Sequence, residues 1–475
     1  KTINTHRVLG CSIYKLRAIS LIESIVICLI SYILALFIVN DLSYTPIANW
    51  VDADIRLSQY KGLILLTALI AILTGCLAGL YPAIRSSSYA PALVLKGSFG
   101  LSPKGKKLRV ALIGFQYTVS IALIIVTLFM GLQNHFMTSS EQLGFNKDQV
   151  AIVNLTPEIY AKHKPQYIQK LKDYPGIEDV AFSVYELSKE DDMIDLEYAR
   201  HEDKDVFFKV FYASENFLSV MDIQVEEGRD FTREDLNKAQ SDYIINPAAE
   251  RDFHLHPGDR FNDRTVLGVS KDFRFNSCRI ASSPFVFALN NDIPNPKLVS
   301  YIRFNSKTNL QEAVAHVRET LKEIDPTFPF EISFYNTILN NLYQKEQTLG
   351  KLISLFGIMA ILISIVGVFG LVLFETQYRR KEIGIRKING ATTGQILLMF
   401  NKTYIRIVSV CFIISIPIAW MGTQQWLENF AYKTPLHLWV FIVAFLIILS
   451  VTIGTVTFRN WQAANENPVN SVKSE

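Results

Sequence analysis

Long apolar runs alternate with polar stretches on a scale set by a bilayer. Six runs approach the ~20 apolar residues that a helix needs to cross one. They are Ile19–Val39, Gly62–Ile84, Leu108–Leu132, Leu352–Phe374, Ile405–Trp420 and Leu438–Val456. The fifth is short and interrupted by Pro417, which a membrane helix tolerates when neighbours satisfy the freed carbonyl. Lys and Arg in the short links orient the spans. Arg85, Lys96, Lys104, Lys106, Lys107 and Arg109 link the second span to the third, with no acid among them. Arg379, Arg380, Lys381, Arg386 and Lys387 crowd the link between the fourth and fifth. Both links read as cytoplasmic. The loop Asn40–Lys61, with Asp41, Asp52 and Asp54, faces the other side, and so does the region Gln133–Gly350. Five tryptophans, Trp50, Trp420, Trp426, Trp439 and Trp461, fall near the expected interfaces, as belt anchors do.

The two ends of the chain repeat each other through three anchors in the same order. His6–Ser12 parallels Arg386–Thr392, Thr45–Trp50 parallels Thr434–Trp439, and Pro91–Lys96 parallels Pro468–Lys473. Both copies have one orientation, which makes this a parallel repeat. The chain begins at Lys1, inside what reads as a repeat unit, so the first unit is expected to lack its N-terminal part.

The region between the third and fourth spans, roughly 215 residues, is long enough for an independent domain. Ala151–Leu155, Ile159–Asp173 and Ile177–Val184 read as strand, helix and strand. Leu298–Phe304, Leu310–Ile324 and Phe330–Phe334 read the same way. A different, β-rich middle runs from Phe207 to Leu289, with Pro257-Gly258-Asp259 and the strand Arg264–Ser270. The expectation is a split α+β subdomain with a second inserted into it.

Composition agrees. The chain has 475 residues, 49% hydrophobic, with a mean hydropathy of +0.21. A net charge of +3 names no nucleic-acid partner. The five cysteines, Cys11, Cys28, Cys76, Cys278 and Cys411, fit neither a zinc spacing nor a disulfide framework. No phosphate-binding GxxxxGK[ST], no HExxH and no GxSxG occurs, so no catalytic residue is assigned and ATP hydrolysis is not expected of this chain. His254 and His256, near Asp259, come nearest to a metal cluster but read as surface loop around a Pro-Gly turn. The span centres carry no charge, which argues against ion-coupled transport.

The basic link 376–391 is the segment with the most specific pattern. At about 100° per residue, Tyr378, Ile385 and Ile388 share one arc, basic residues cover most of the rest, and Ile383 is the exception. A short amphipathic helix is predicted, lying on a membrane surface or in a partner's groove. Asn389-Gly390 should end it, and Thr392 with Gln395 should start the next helix as a capping box. A plain positive-inside loop is the alternative.

Arg379–Thr392, RRKEIGIRKINGAT, resembles the cytoplasmic motif of the MacB/FtsX-like ABC transporter permease family. Phe217–Phe231, ending EEGRDF, and Thr265–Phe273, TVLGVSKDF, resemble two stretches of that family's outer domain. The resemblance implies a helical transmembrane bundle with an α+β periplasmic domain of two parts, called porter and sabre. It implies a multi-pass protein of the bacterial inner membrane. It divides the chain into the end of a first permease unit (1–98), a linker with the third span (99–134), a MacB-like periplasmic domain (135–349) and a second unit (350–475). It implies a cytoplasmic ABC ATPase dimer as partner, which would bind the ATP and magnesium; no cofactor is expected in this chain. Periplasmic movement would be driven by mechanotransmission, exporting or extracting a peptide, lipoprotein or antibiotic. The alternative is an FtsX-like regulator of a periplasmic partner such as a cell-wall hydrolase. Carried over by position, the ATPase-coupling residues would be Arg380, Lys381, Glu382, Gly384, Arg386, Lys387, Gly390 and Ala391. In the first repeat they would be His6, Arg7 and Gly10, a copy that departs from the motif: His6 stands for an Arg, and Asn4 for Gly384.

Overall fold

A computed structural model describes residues 11–45, 48, 57–87, 103–139, 143–188, 195–238, 240–289 and 298–464. Among the described residues, six helices are long and apolar enough to cross a membrane: Ile13–Leu42, Lys61–Ser87, Pro103–Thr138, Gln344–Tyr378, Thr393–Leu427 and Leu438–Ala464. The protein is a multi-pass membrane protein. The fifth helix is longer than the pattern suggested and continues through Pro417.

The chain divides into two compact units. The first comprises Lys1–Ile125, Thr348–Ile418 and Phe441–Glu475. Its helices are joined through small and polar residues, because lipid tails leave no hydrophobic force to drive helices together. Gly75 and Gly79 let the second helix approach the first so closely that a Cβ on Gly75 would lie 2.9 Å from the Ile25 backbone. The Tyr32 hydroxyl donates to Ile64 O at 2.7 Å across the same pair. Among the other helices, Ser120 and Ser364 hydroxyls lie 3.0 Å apart, and those of Tyr117 and Thr452 lie 2.9 Å apart.

The second unit comprises Val126–Gln347 and Ala419–Val440 and, among the described residues, is built on one 11-stranded sheet. Its strands are β1 (Val150–Leu155), β2 (Ile177–Ser183), β3 (Asp195–His201), β4 (Lys204–Ala213), β5 (Val225–Gly228), β6 (Tyr243–Ile245), β7 (Arg260–Phe261), β8 (Arg264–Ser270), β9 (Phe285–Leu289), β10 (Leu298–Phe304) and β11 (Ile332–Phe334). The order is β11-β1-β10-β2-β4-β9-β6-β8-β5, with β3 paired to β4 and β7 to β8. The first four strands in that order are all antiparallel. With the helices Lys164–Lys172 and Leu310–Ile324 they make a split β-α-β arrangement of ferredoxin-like type. A single register pair, Ser183 with Ala213, joins β2 to β4 and to the inserted strands.

Period-two alternation sends successive residues of β1 to opposite faces of the sheet. Ala151, Val153 and Leu155 pack with Tyr167, Leu171, Val317 and Leu321 of the two helices. Val150 and Ile152 join the opposite core. That core is aromatic: Phe287 has ring neighbours Phe211, Phe217, Phe273 and Phe285.

The stretch between the fifth and sixth spans belongs to this unit. Phe430 is buried in the aromatic core. The Tyr432 N–H donates to Cys278 O at 3.1 Å. The buried amide of Gln133 donates to Tyr432 O at 3.0 Å and accepts from the Thr434 N–H at 2.8 Å.

One buried carboxylate makes part of this fold sensitive to acid. Arg229 donates through both terminal nitrogens to Asp235, at 2.7 and 2.8 Å. The Thr232 N–H and hydroxyl and the Lys238 ammonium also reach it. Arg229 first, then Thr232 and Lys238, hold this carboxyl far below its ordinary 3.8, against the opposing effect of burial. A depressed folded pKa contributes stability that is present above the unfolded value and lost as pH falls below it. Because Arg229 and Lys238 are half exposed, the contribution is about 2 kcal/mol. Asp235→Asn should therefore lower thermal stability at pH 7, and the gap from the parent should shrink as pH falls below about 4. A gap of equal size at pH 2.5, roughly a pH unit below that limit, would contradict the assignment.

Candidate functional site

The basic link folds as predicted, into a helix over Arg380–Ile388. Arg379 separates it from the fourth span helix, and at its other end Gly390 and Thr392 separate it from the fifth. Gly390 adopts φ +89°, a region that costs other residues a Cβ clash. The Gly390 N–H donates to Lys387 O at 3.1 Å, and the Ala391 N–H to Arg386 O at 3.0 Å. These two bonds form a Schellman cap. The capping box follows: the Thr392 N–H donates to Gln395 Oε1 at 3.1 Å, and the Gln395 N–H to Thr392 Oγ1 at 3.3 Å.

The helix is fixed by charge on its own axis. Arg379 bonds Glu375 at 3.1 Å, one turn back, and lies 3.8 Å from Glu382. Arg386 donates to Glu382 at 2.8 Å. Glu375 also accepts from the Tyr404 hydroxyl at 3.3 Å, and the Arg379 guanidinium lies 5.8 Å from the Phe400 ring centre. Behind them the Thr376 hydroxyl is 2.7 Å from Asn460 Oδ1, and Asn401 donates to Thr457 at 3.0 Å.

Two faces result. Ile383 is only 4% exposed and Gly384 is buried beside it. Ile385 and Ile388 are 55% and 66% exposed. The two isoleucines of the arc that periodicity grouped together thus face outward, and the exception, Ile383, is the buried one. The outward isoleucines are flanked by Arg386 and Lys387. Arg380 and Lys381 contribute backbone to the first turn. Glu382 serves as the internal counter-ion. Gly390 and Ala391 close the helix.

His6, Arg7 and Gly10 lie outside the described residues. The supporting residues Glu375, Phe400 and Tyr404 were missed; only the four-residue spacing of Glu375 and Arg379 signalled one of them. The histidine loop is also rearranged. Asp259 accepts from the His256 backbone N–H at 2.7 Å, and the His256 ring sits 3.6 Å from Glu250 instead, with Glu227 beside them. His254 takes a left-handed backbone to cap the helix Pro247–Phe253.

Residues 354–468 match the FtsX-like permease C-terminal family. That stretch is an FtsX-like permease C-terminal domain. Over 212 residues the chain is 25% identical to the macrolide export ATP-binding/permease protein MacB of Aggregatibacter actinomycetemcomitans, covering 42% of this chain and 32% of that protein. Over 223 residues it is 25% identical to MacB of Neisseria gonorrhoeae, covering 44% and 34%. The chain thus spans about a third of the length of these curated relatives. Among solved structures, it is similar to the periplasmic region of MacB from Actinobacillus actinomycetemcomitans, with 14% identity and a TM-score of 0.32 over 44% of this chain and 97% of that one. It is also similar to the extracellular domain of the transporter YknZ from Gram-positive bacteria, with 16% identity and a TM-score of 0.29 over 39% and 98%.

Gly390→Ala should loosen the cap by about 1 kcal/mol and raise hydrogen exchange at the Gly390 and Ala391 amides about 5-fold. Unchanged exchange at those amides would show that the cap does not hold this helix.

Proposed function

We propose that this permease works as the membrane subunit of an ABC-type complex whose ATPase is a separate cytoplasmic protein. The observation that carries the reading is the exposed pair Ile385 and Ile388 on a helix capped at its end and braced by ion pairs. An apolar pair held out on a rigid, basic helix suits a partner's groove, read as alternate anchors on one helix face. Arg386 and Lys387 supply long-range attraction to an acidic rim, while the isoleucines supply desolvated contact. The coupling set is then Arg380, Lys381, Glu382, Gly384, Arg386, Lys387, Gly390 and Ala391, extended by Ile385 and Ile388. His6, Arg7 and Gly10 form the second, weaker copy.

In this reading residues 135–349 stand on the periplasmic side of a bacterial inner membrane, 1–98 are the end of a first permease unit, 99–134 a linker and third span leading into the periplasmic domain, and 350–475 the second unit. ATP and magnesium bind to the ATPase dimer. Closure of the ATPase moves the sheet domain by mechanotransmission, and nothing needs to pass among the spans. The MacB relatives are named for macrolide export, which supports export of an antibiotic; a peptide or lipoprotein is the alternative cargo.

Affinity-purified full-length chain should retain an ABC ATPase identifiable by mass spectrometry. The double change Ile385→Glu and Ile388→Glu should reduce its recovery at least about tenfold, equivalent to about 1.4 kcal/mol of lost contact. Recovery equal to the parent's, with the variant still membrane-inserted, would remove the isoleucine pair from the contact.

A further inference from the structure

Two arginines flank Cys278 in the sheet domain, and their surroundings differ. The Arg279 Nε–H donates to Glu346 at 2.7 Å, so that charge is compensated. Arg274 pairs with no carboxylate among the described residues. Its guanidinium lies 4.1 Å from the Tyr432 ring centre and 5.4 Å from that of Phe136. Its backbone is held as well, by an N–H bond to Leu143 O at 2.8 Å.

Tyr432 is itself fixed from three directions. Its N–H donates to Cys278 O, its carbonyl accepts from Gln133, and its hydroxyl accepts from the Ser282 N–H at 3.1 Å. The stacked guanidinium therefore cannot easily swing away to solvent. Its Nη1 is buried and has no hydrogen-bond partner among the described residues. A buried charged donor without a partner bears its whole desolvation penalty, and such a group calls for an ion or water.

A recess of about 20 Å³ lies beside it, lined in part by Arg274, Asn276, Ile280, Ser282, Ser283 and Tyr432. Asn246 donates to Ser282 Oγ at 3.2 Å, which leaves the Ser282 O–H able to donate into the recess. The lining offers a guanidinium, hydroxyls and an amide, and it contains no carboxylate. That donor set selects an anion. The volume admits one oxygen-sized group, so a compact oxyanion would seat one oxygen inside and keep the rest at the mouth.

The location narrows the choice. Phe136 and Gln133 belong to the end of the candidate span Val110–Thr138, and Tyr432 to the stretch joining the last two spans. Helix ends of this kind lie among lipid headgroups. Ile280, on the rim of the recess, is 58% exposed and offers apolar contact beside the donors.

We propose that this recess is a phosphate-binding site, with the Arg274 guanidinium as the charged donor and Ser282 and Asn276 as neutral donors. The phosphate is that of a phospholipid headgroup or a free phosphate ion, since both present the same oxygens. The site does not depend on the ATPase contact.

The test uses the full-length chain purified in an uncharged detergent. Inorganic phosphate and a short-chain phosphatidylglycerol are titrated separately by calorimetry, with the matching diacylglycerol as a control lacking phosphate. Saturable binding of at least one phosphate probe, an inert control, and at least a tenfold loss of affinity in Arg274→Gln are expected. Binding of the lipid alone assigns the headgroup, and binding of the ion alone assigns free phosphate. Asn276→Ala leaves the arginine stack in place and should weaken binding several-fold. Absence of saturable binding by both probes overturns the proposal. So does affinity unchanged in both variants.

Discussion

One buried side-chain amide sets much of the architecture of the sheet domain. Gln133 lies at the end of the third span helix, and it meets the chain again some three hundred residues later. Its amide uses both ends, one to donate and one to accept, on the backbone of Tyr432 and Thr434. Because Gln133 is fully buried, losing this side chain would strand two backbone groups, at about 1–3 kcal/mol each. That constraint holds the connection between the last two spans in place. Phe430 then reaches the aromatic core, and Tyr432 reaches the Cys278 backbone. The Arg274 stack depends on the same fixed Tyr432.

Polar contacts do similar work in the membrane-spanning unit. Ser120 with Ser364 and Tyr117 with Thr452 join helices that have no hydrophobic reason to associate. Thr376 with Asn460 and Asn401 with Thr457 extend this to the base of the basic helix Arg380–Ile388. There Glu375 and Arg379 turn the chain, Ile383 anchors it, and Gly390 stops it. The outward face is left to two isoleucines because the inner contacts have used one side of the helix and the ion pairs have used its acid.

Much of this was legible in local pattern. Both strand-helix-strand groups fell within a few residues of their places, since buried alternation and capping are local signals. So did the Gly390 cap and the Thr392 box. The fifth helix extends beyond its apolar run because Asn401, Lys402, Gln424 and Gln425 end the run without ending the helix. Periodicity grouped Ile385 with Ile388 but could not say that this arc faces outward, because that depends on Phe400, Tyr404 and Glu375. The place of residues 428–434 in the sheet domain was not visible either. Its partners, Gln133, Cys278 and Ser282, are remote in sequence and leave no periodic trace.

The central claim is that the Ile385–Ile388 face receives a cytoplasmic ATPase. The direct measurement places a photo-crosslinking amino acid at position 388 in the full-length chain in living cells and identifies the adduct by mass spectrometry. The account predicts one dominant protein adduct, an ABC ATPase subunit, lost when Ile385 is changed to Glu. Adducts to lipid alone, or a protein adduct that is not an ATPase, would contradict it.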